Sequence, residues 1–483
     1  MPHMCELAIK CDICQPLTNP SSVIPVYNHT THSLPCPPHA NLQDTQIAGA
    51  SSQHNETNMT QSLEFDSQAH QWSTQEAITI ANTAKRKLAK RNNRHVRHEK
   101  FALFQRDEIK LGKHLGSGGF SDVYEVQSFE LQHSRGKRRS RLAAEQHNSR
   151  LFYEETALDL RTGDPQYAVK FLKPSMAADS SKFCMAAADF ALESELLASL
   201  SHPNIVRVHG WSKGGLDSYA EDRNREGYFL VMDRVHTTLD KKMAMWKREK
   251  PKSRFEELVA HAERTRIASQ IASALAYLHE NNVIYRDLKP SNIGLDENGD
   301  VKLFDFGLAR VLPGDSSTDE VYVMSGKIGT LRYMAPECAL QEKYNVKADV
   351  YAWSLVYYHM MALHKPYAGY SHDHHFALVC RLGDRPQVDC EWSIMVQDLM
   401  ERAWSPEIAA RPAMRDVCCR LYDILDDFEL QSTDLLMDDT KPGGVRRNES
   451  VLLELPVTFN CTIAKSLART ETYLSSTAPR RYA

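Results

Sequence analysis

The residues best suited to chemistry lie in two short stretches of the chain. The first reads Ile-Tyr-Arg-Asp-Leu-Lys-Pro-Ser-Asn over 284–292, and the second places Asp305 thirteen residues after Asn292. Carboxylate and amide oxygens are the ligands that Mg²⁺ takes together with phosphate oxygens. Asp287 can orient a hydroxyl group and accept its proton, and Lys289 can offset charge on a transferred phosphate. The set therefore indicates phosphoryl transfer, whereas a role in capping turns alone leaves the lysine and Asp305 unexplained.

A glycine-rich segment earlier in the chain could meet the phosphates of a nucleotide. It reads Gly-Ser-Gly-Gly-Phe-Ser over 116–121 and lies between two predicted strands. Glycines let the backbone approach phosphate oxygens and direct N–H groups at them, but such a segment is also common as a plain hairpin turn. A dinucleotide-binding fingerprint is excluded, because a strand and not a helix follows the glycines.

Lys170 ends the strand-like sequence Tyr-Ala-Val-Lys, from which an ammonium group can reach α- and β-phosphates. Taken alone, a solvated lysine at a sheet edge is the commoner case. A phosphate-binding lysine needs an acidic partner, and a predicted helix over 182–201 offers Glu193 and Glu195. These two residues are about 200° apart around a helix, so one can face Lys170 and we expect the other to be solvated.

Together these segments resemble the motifs of the eukaryotic protein kinase family. The glycine-rich hairpin, Lys170, the 284–292 stretch, Asp-Phe-Gly at 305–307 and Ala-Pro-Glu at 335–337 stand in that family's order and spacing. The resemblance covers about two-thirds of the chain, over 109–428. It implies an α+β fold of two lobes, with a small antiparallel β-sheet lobe that holds one main helix and a larger helical lobe.

The resemblance implies four catalytic residues, which are Lys170, Glu193, Asp287 and Lys289. Lys170 would hold the α- and β-phosphates of ATP and pair with Glu193, which is favoured by its interval of nine residues before His202. Asp287 would be the catalytic base, and Lys289 would contact phosphate.

The resemblance also implies ATP and Mg²⁺ as cofactors. Asn292 and Asp305 would bind the Mg²⁺, Met232 would be the gatekeeper beside adenine, and Arg411 would be the buried partner of Glu337. The other expected nucleotide contacts are Leu115, Gly116, Ser117, Gly118, Gly119, Phe120, Ser121, Val123, Ala168, Asp233 and Val235.

Several features bear on activity and specificity. Ser121 replaces the third glycine of the hairpin and Tyr285 replaces the usual histidine before Arg286, but neither change removes a charge. Lys289 and the Gly-Thr pair at 329–330 resemble the serine/threonine type, and the sequence around Arg411 resembles the tyrosine-kinase-like group. The resemblance thus implies a Mg-ATP-dependent protein serine/threonine kinase in intracellular signalling. The alternative, a pseudokinase scaffold, is disfavoured because the charged catalytic residues are all present.

Regulation by phosphate is a further expectation. Arg286 precedes the expected base and could pair with a phosphate on the segment that follows Asp305. The hypothesis is that an upstream kinase modifies one of the hydroxyl residues Ser316, Ser317, Thr318, Tyr322 and Ser325. Ordering of this segment without phosphate is the alternative.

The amino-acid composition argues against several other classes of protein. The chain has 483 residues and a net charge of −4, which argues against nucleic-acid or membrane binding through overall charge. The longest apolar run, over 350–363, is too short for a membrane span and fits a buried helix. Eleven scattered cysteines and the absence of a signal sequence predict reduced thiols and a cytoplasmic protein.

The predicted domain organisation has a kinase-like region between two flanking segments. Residues 1–100 are predicted to be a disordered polar region that ends in a basic segment over 85–100, and 429–483 form a C-terminal tail. The basic segment could direct nuclear import, contact an anionic surface or be a solvated linker helix, and with the 135–141 run it could also bind nucleic acid. Residues 127–166 are predicted to form an inserted surface loop.

The periodic patterns predict elements within 109–428. The predicted strands are 109–115, 121–126, 167–172, 205–210 and 228–232. The predicted helices are 182–201, 263–280, 349–363, 394–403 and 414–425.

Overall fold

The computed structural model describes residues 101–131, 141–173, 180–213, 228–249, 251–312, 320–324, 326 and 329–438. The expectations for 1–100, for the 135–141 run and for the tail beyond 438 lie outside these residues, as do Ser316, Ser317, Thr318 and Ser325. No helix within the described residues is both long enough and apolar enough to span a membrane.

Six strands of the first half form a single sheet. They are β1 (Ala102–Phe104), β2 (Ile109–Ser117), β3 (Ser121–Phe129), β4 (Tyr167–Leu172), β5 (Val208–Ser212) and β6 (Phe229–Asp233). Their order in space is β1-β5-β6-β4-β3-β2, and all neighbours are antiparallel except β1 and β5. The five predicted strands are present, while β1 was missed because three residues are too few to show a period.

Two helices pack on this sheet, on opposite faces. They are α1 (Arg141–Glu155) and α2 (Ser180–Ser199). The prediction that 127–166 is a surface loop is wrong, since β3 continues to Phe129 and α1 contributes Leu151 and Tyr153 to the core on one face of the sheet. Within the described residues, the small lobe thus has a second helix besides the expected main one. The pattern missed α1 because its sequence has no continuous apolar stripe.

The second half is mainly helical. Its short strands are β7 (Thr237–Thr238), β8 (Val283–Ile284), β9 (Ile293–Leu295), β10 (Val301–Leu303) and β11 (Arg310–Val311). Its helices are α3 (Leu239–Trp246), α4 (Arg254–Glu280), α5 (Pro336–Ala339), α6 (Lys347–Ala362), α7 (His372–His374), α8 (Ile394–Ala403) and α9 (Met414–Asp438). The chain continues from α7 as a π-helix over His375–Arg381. The expected α+β architecture, a sheet lobe followed by a helical lobe, is confirmed.

Helix α6 is the centre of the large lobe. Every residue from Lys347 to Met361 is buried, which explains why its sequence is apolar on all sides. Ser253 caps the N-terminus of helix α4, because its hydroxyl accepts the Glu256 N–H, so the helix starts earlier than its apolar pattern does. Helix α9 runs to Asp438 and therefore passes the predicted domain end at 428.

A buried ion pair joins the loop before α9 to the segment that leads into α6. The Arg411 guanidinium contacts the two carboxylate oxygens of Glu337 at 2.6 and 2.9 Å and donates to the Ser405 carbonyl oxygen at 2.8 Å. The Arg411 side chain is fully buried. Such a pair requires both partners, because either charge alone would remain desolvated without compensation.

We expect Arg411→Leu to lower the free energy of unfolding by about 3–5 kcal/mol, because it leaves the Glu337 carboxylate buried without its partner. Arg415→Leu is the matched control, since Arg415 is exposed and its nitrogen lies 3.9 Å from Glu280. It should change the free energy of unfolding by less than about 0.5 kcal/mol. Urea titration of both variants measures the difference, and equal midpoints would contradict the prediction.

Candidate active site

The centre of the site is an ion pair between the two small-lobe elements β4 and α2. The Lys170 Nζ lies 2.7 Å from each carboxylate oxygen of Glu193, and both side chains are buried. Along β4, Lys170 shares a face with Ala168 and Leu172, which pack in the core that includes α2. The alternation of strand side chains thus directs the lysine toward the helix.

The structure separates the two candidate glutamates. Glu193 contacts Lys170, whereas the expectation that Glu195 is solvated is wrong, because only 6% of it is exposed. Burial alone would lower the pKa of Lys170, but the carboxylates of Glu193 and Asp305 raise it above its ordinary value. The lysine therefore remains an ammonium ion that can attract phosphate.

Glu193 also reaches the Asp-Phe-Gly segment of the large lobe. Its Oε1 accepts the Phe306 N–H at 3.2 Å. Asp305 has a positive φ of 64°, and this backbone conformation leaves its side chain exposed while the Phe306 ring is buried. The carboxylate of Asp305 is therefore accessible from the cleft between the lobes.

Asp287 is surrounded by donors. Its Oδ2 lies 2.7 Å from the Lys289 Nζ and 2.9 Å from the Asn292 Nδ2, and its Oδ1 accepts the Thr330 N–H at 3.2 Å. Because the amide nitrogen of Asn292 contacts Asp287, the amide oxygen is the atom that could bind a cation. Asn292 and Asp305 thus fit Mg²⁺, which takes few protein oxygens and completes its shell with phosphate and water.

The loop before Asp287 is held from α6. The two carboxylate oxygens of Asp349 accept the backbone N–H groups of Tyr285 and Arg286, each at 2.8 Å, and the His279 Nε2 lies 3.0 Å away. Arg286 has a φ of 70°, a strained conformation for a residue with a side chain. The apolar pattern predicted a helix that starts at 349 but not that Asp349 holds this conformation.

Tyr285 connects this loop to the Asp-Phe-Gly segment. Its ring meets the Phe306 ring edge-on at 5.1 Å between centroids, and its hydroxyl donates to the Phe304 carbonyl oxygen at 2.5 Å. Burial, with further contributions from Asp305 and Asp287, raises the pKa of Tyr285 well above its ordinary value, so the hydroxyl stays neutral and can donate. The tyrosine thus fills a packing role between the two segments.

The glycine-rich hairpin joins β2 to β3. The Gly118 N–H donates to the Ser121 carbonyl oxygen at 2.7 Å, and a Cβ on Gly116 or Gly119 would meet no heavy atom within 4 Å apart from those of the residue itself and its chain neighbours. Phe120 and Leu115 are exposed at this end of the lobe. Val123 pairs in register with Lys170 on β4, so the hairpin is attached directly beside the lysine.

The segment over 233–235 joins the two lobes. Met232 ends the buried part of β6 opposite Ala168, and Asp233 follows it. Val235 packs on Gly294, where a Cβ would come within 2.5 Å of a Val235 methyl carbon. The structure therefore brings the expected adenine contacts Ala168, Met232, Asp233 and Val235 to one edge of the cleft.

A protein-kinase domain model matches residues 156–422, more than half of the chain. The chain belongs to the protein kinase family. The match begins just after α1, although β2 and β3 of the kinase domain's sheet precede it.

Individual relatives match only part of the chain. The serine/threonine-protein kinase STY46 of Arabidopsis thaliana is 31% identical over 179 residues, which are 37% of this chain and 30% of that protein. The serine/threonine-protein kinase VIK of the same plant is 29% identical over 274 residues, 53% of this chain and 54% of that protein. The dual specificity protein kinase shkE of Dictyostelium discoideum is 27% identical over 252 residues, which are 51% of this chain and 32% of that protein. The chain thus spans about half or less of the length of these relatives.

We expect Glu193→Gln to lower the rate of phosphate transfer at least tenfold, because a neutral amide no longer compensates the buried Lys170 and the lysine loses its position. Glu195→Gln is the matched control, since it makes the same change on the same helix at equal burial without touching the lysine. It should keep the rate within about twofold. Steady-state kinetics on folded protein make the comparison, and equal rates in both variants would contradict the assigned pairing.

Proposed function

We propose that this protein is an ATP-dependent protein serine/threonine kinase that transfers the γ-phosphoryl group of Mg-ATP to hydroxyl groups of protein substrates. The observation that supports it most is the convergence of Lys170, Glu193, Asp287, Asn292 and Asp305 on one cleft. Retention of all these charged and polar groups argues against a pseudokinase scaffold. The names of STY46 and VIK favour serine and threonine as acceptors, while shkE is named a dual specificity kinase.

Each residue of the cleft would have its own role in the reaction. Lys170 and the N–H groups of the glycine-rich hairpin would bind the phosphates of ATP, and Mg²⁺, held by Asn292 and Asp305, would supply charge neutralisation. Asp287 would orient the substrate hydroxyl and accept its proton. Lys289, 2.7 Å from Asp287, would offset the charge that develops on the transferred group.

We propose that Asp305→Asn abolishes transfer of labelled phosphate from Mg-ATP to a generic basic protein. The wild type should label serine and threonine, and the variant should lose at least 100-fold of the rate, because a neutral amide is a weaker Mg²⁺ ligand. Asp373→Asn is the control, since its side chain is fully exposed, and it should match the wild type.

Identification of the labelled amino acid decides the specificity. Label on tyrosine would overturn the serine/threonine assignment. Nucleotide binding without label, before and after treatment with an activating kinase, would favour the scaffold.

We propose that activity is raised by phosphate on the segment after Asp305, added by an upstream kinase. Arg286 lies beside this segment, and its guanidinium contacts the Tyr344 hydroxyl at 3.1 Å and the Leu308 carbonyl oxygen at 2.7 Å. Tyr322 is poorly placed to be phosphorylated, because it is buried and its hydroxyl donates a hydrogen bond to Glu320 at 2.9 Å. The remaining candidates are Ser316, Ser317, Thr318 and Ser325.

Changing these four residues together to alanine should lower activity at least tenfold in protein that has been treated with the upstream kinase, because no phosphate can then order the segment. Tyr322→Phe is the control and should have little effect. Full activity in the fourfold variant would show that the segment is ordered without phosphate.

The proposal also covers the kinase subgroup of this protein and its location in the cell. The sequence around Trp404 and Arg411 favours the tyrosine-kinase-like group. We propose a cytoplasmic protein, with the basic segment over 85–100 as a candidate signal for nuclear import.

A further inference from the structure

Helix α1, which separates β3 from β4 in the sequence, is attached to the edge of the small-lobe sheet. The Gln146 side chain accepts the Leu103 N–H at 3.3 Å and donates to the Phe101 carbonyl oxygen at 3.0 Å, as a neighbouring strand would. One turn later, Arg150 pairs with Glu108, which is buried. The helix therefore has one fixed position on the sheet.

From this position α1 directs Tyr153 into a group of three rings. The Tyr153 ring meets the rings of Tyr167 on β4 and His209 on β5 edge-on, at centroid distances of 5.4 and 5.6 Å. Tyr167 and His209 meet in the same way at 5.0 Å. Thr156, just after the helix, shares a hydrogen bond of 2.8 Å with the Tyr167 hydroxyl. Edge-to-face contacts of this kind restrict how each ring can turn.

His209 in turn holds a carboxylate of the segment that joins the lobes. Its Nε2 lies 2.6 Å from the Asp233 Oδ1, and both side chains are mostly buried. The other oxygen of Asp233 accepts the Arg207 N–H at 3.0 Å, while the Asp233 N–H donates to the Arg207 carbonyl oxygen at 3.0 Å. The side chain and the backbone of Asp233 are thus fixed together, so a change at the carboxylate also affects the peptide unit.

The next residue of the joining segment is held as well. The Arg234 N–H donates to the Gln166 carbonyl oxygen at 3.1 Å, and the Arg234 guanidinium contacts Glu125 on β3 at 2.8 Å. Gln166 directly precedes Tyr167, and its own N–H donates to the Ala157 carbonyl oxygen just after α1. The chain that leaves α1 therefore contacts the joining segment at Arg234 through Gln166, and Tyr167 pairs in register with Asp233.

We propose that α1 positions the backbone that receives the adenine ring, and that Tyr153 and His209 are positioning residues which act through Asp233. This inference rests on the proposed nucleotide-binding function. Tyr153 and His209 lie on the side of the sheet away from Lys170 and would not touch the nucleotide themselves. Loss of either should therefore weaken adenine binding and leave the binding of phosphates unchanged.

The test compares Mg-ATP with Mg-tripolyphosphate, which has the phosphates but no adenine, as ligands of the full chain in titration calorimetry. Tyr153→Ala and His209→Leu should weaken Mg-ATP binding three- to tenfold and change tripolyphosphate binding by less than twofold. Tyr153→Phe keeps the ring and His209→Gln keeps a donor for Asp233, so both should bind Mg-ATP within twofold of the wild type.

Glu155→Ala is the control, because it truncates an exposed side chain at the end of α1 and leaves the rings around Tyr153 in place. It should bind both ligands as the wild type does. The double variant Tyr153→Ala/His209→Leu should bind Mg-ATP as tightly as the single variant that has the lower Mg-ATP affinity. The two effects should not add, since both residues act through one contact.

Unchanged Mg-ATP affinity in folded His209→Leu would overturn the proposal, and this variant decides the matter if Tyr153→Ala does not fold. An equal loss of tripolyphosphate affinity would also overturn it, since general loosening of the lobe would give that result. A wild type that binds Mg-ATP but transfers no phosphate would contradict the proposed activity, and the binding comparison would still test this inference. A wild type that binds neither ligand would overturn both.

Discussion

The carboxylate of Glu193 is the contact on which the rest of the catalytic arrangement depends. It compensates the buried Lys170 on β4 and accepts the Phe306 N–H in the segment that contains Asp305. Two buried charges are stable only in contact, so the lysine has its position only while α2 lies against the sheet. The same carboxylate then aligns the large-lobe segment. The cation proposed to bind phosphate and a candidate metal ligand are thus placed by one side chain that contacts both lobes.

A second carboxylate, that of Asp349, positions the loop before Asp287 inside the large lobe. Asp349 lies in the first turn of the buried helix α6 and accepts two consecutive backbone N–H groups of the loop before Asp287. This explains how Arg286 can keep a positive φ, because two hydrogen bonds from a rigid helix offset the cost of that conformation. The rigid part of the lobe is therefore what orients the loop, while Asp287 itself stays in contact with Lys289 and Asn292.

Local sequence patterns predicted much of this fold and most of the elements that support the site. Helix α8 has the predicted bounds, and the strand pattern correctly placed Lys170 within β4. Periodicity could not choose between Glu193 and Glu195, and it gave the wrong environment for Glu195, because burial of a charged residue depends on elements distant in sequence. The contact of His209 with Asp233 was equally beyond prediction, since it joins two neighbouring strands where their pairing register shifts beside His209.

Helix α1 shows why a long connection can be inserted here without disturbing the sheet. Strands β3 and β4 are paired in register from Ser121 to Glu125 although about forty residues separate them. The entropy of closing such a connection grows only slowly with its length, and packing of Leu151 and Tyr153 on the sheet offsets it. Because the inserted helix ends beside Tyr167, the returning chain enters β4 next to the joining segment. The inserted segment thus lies where we propose that it influences nucleotide binding.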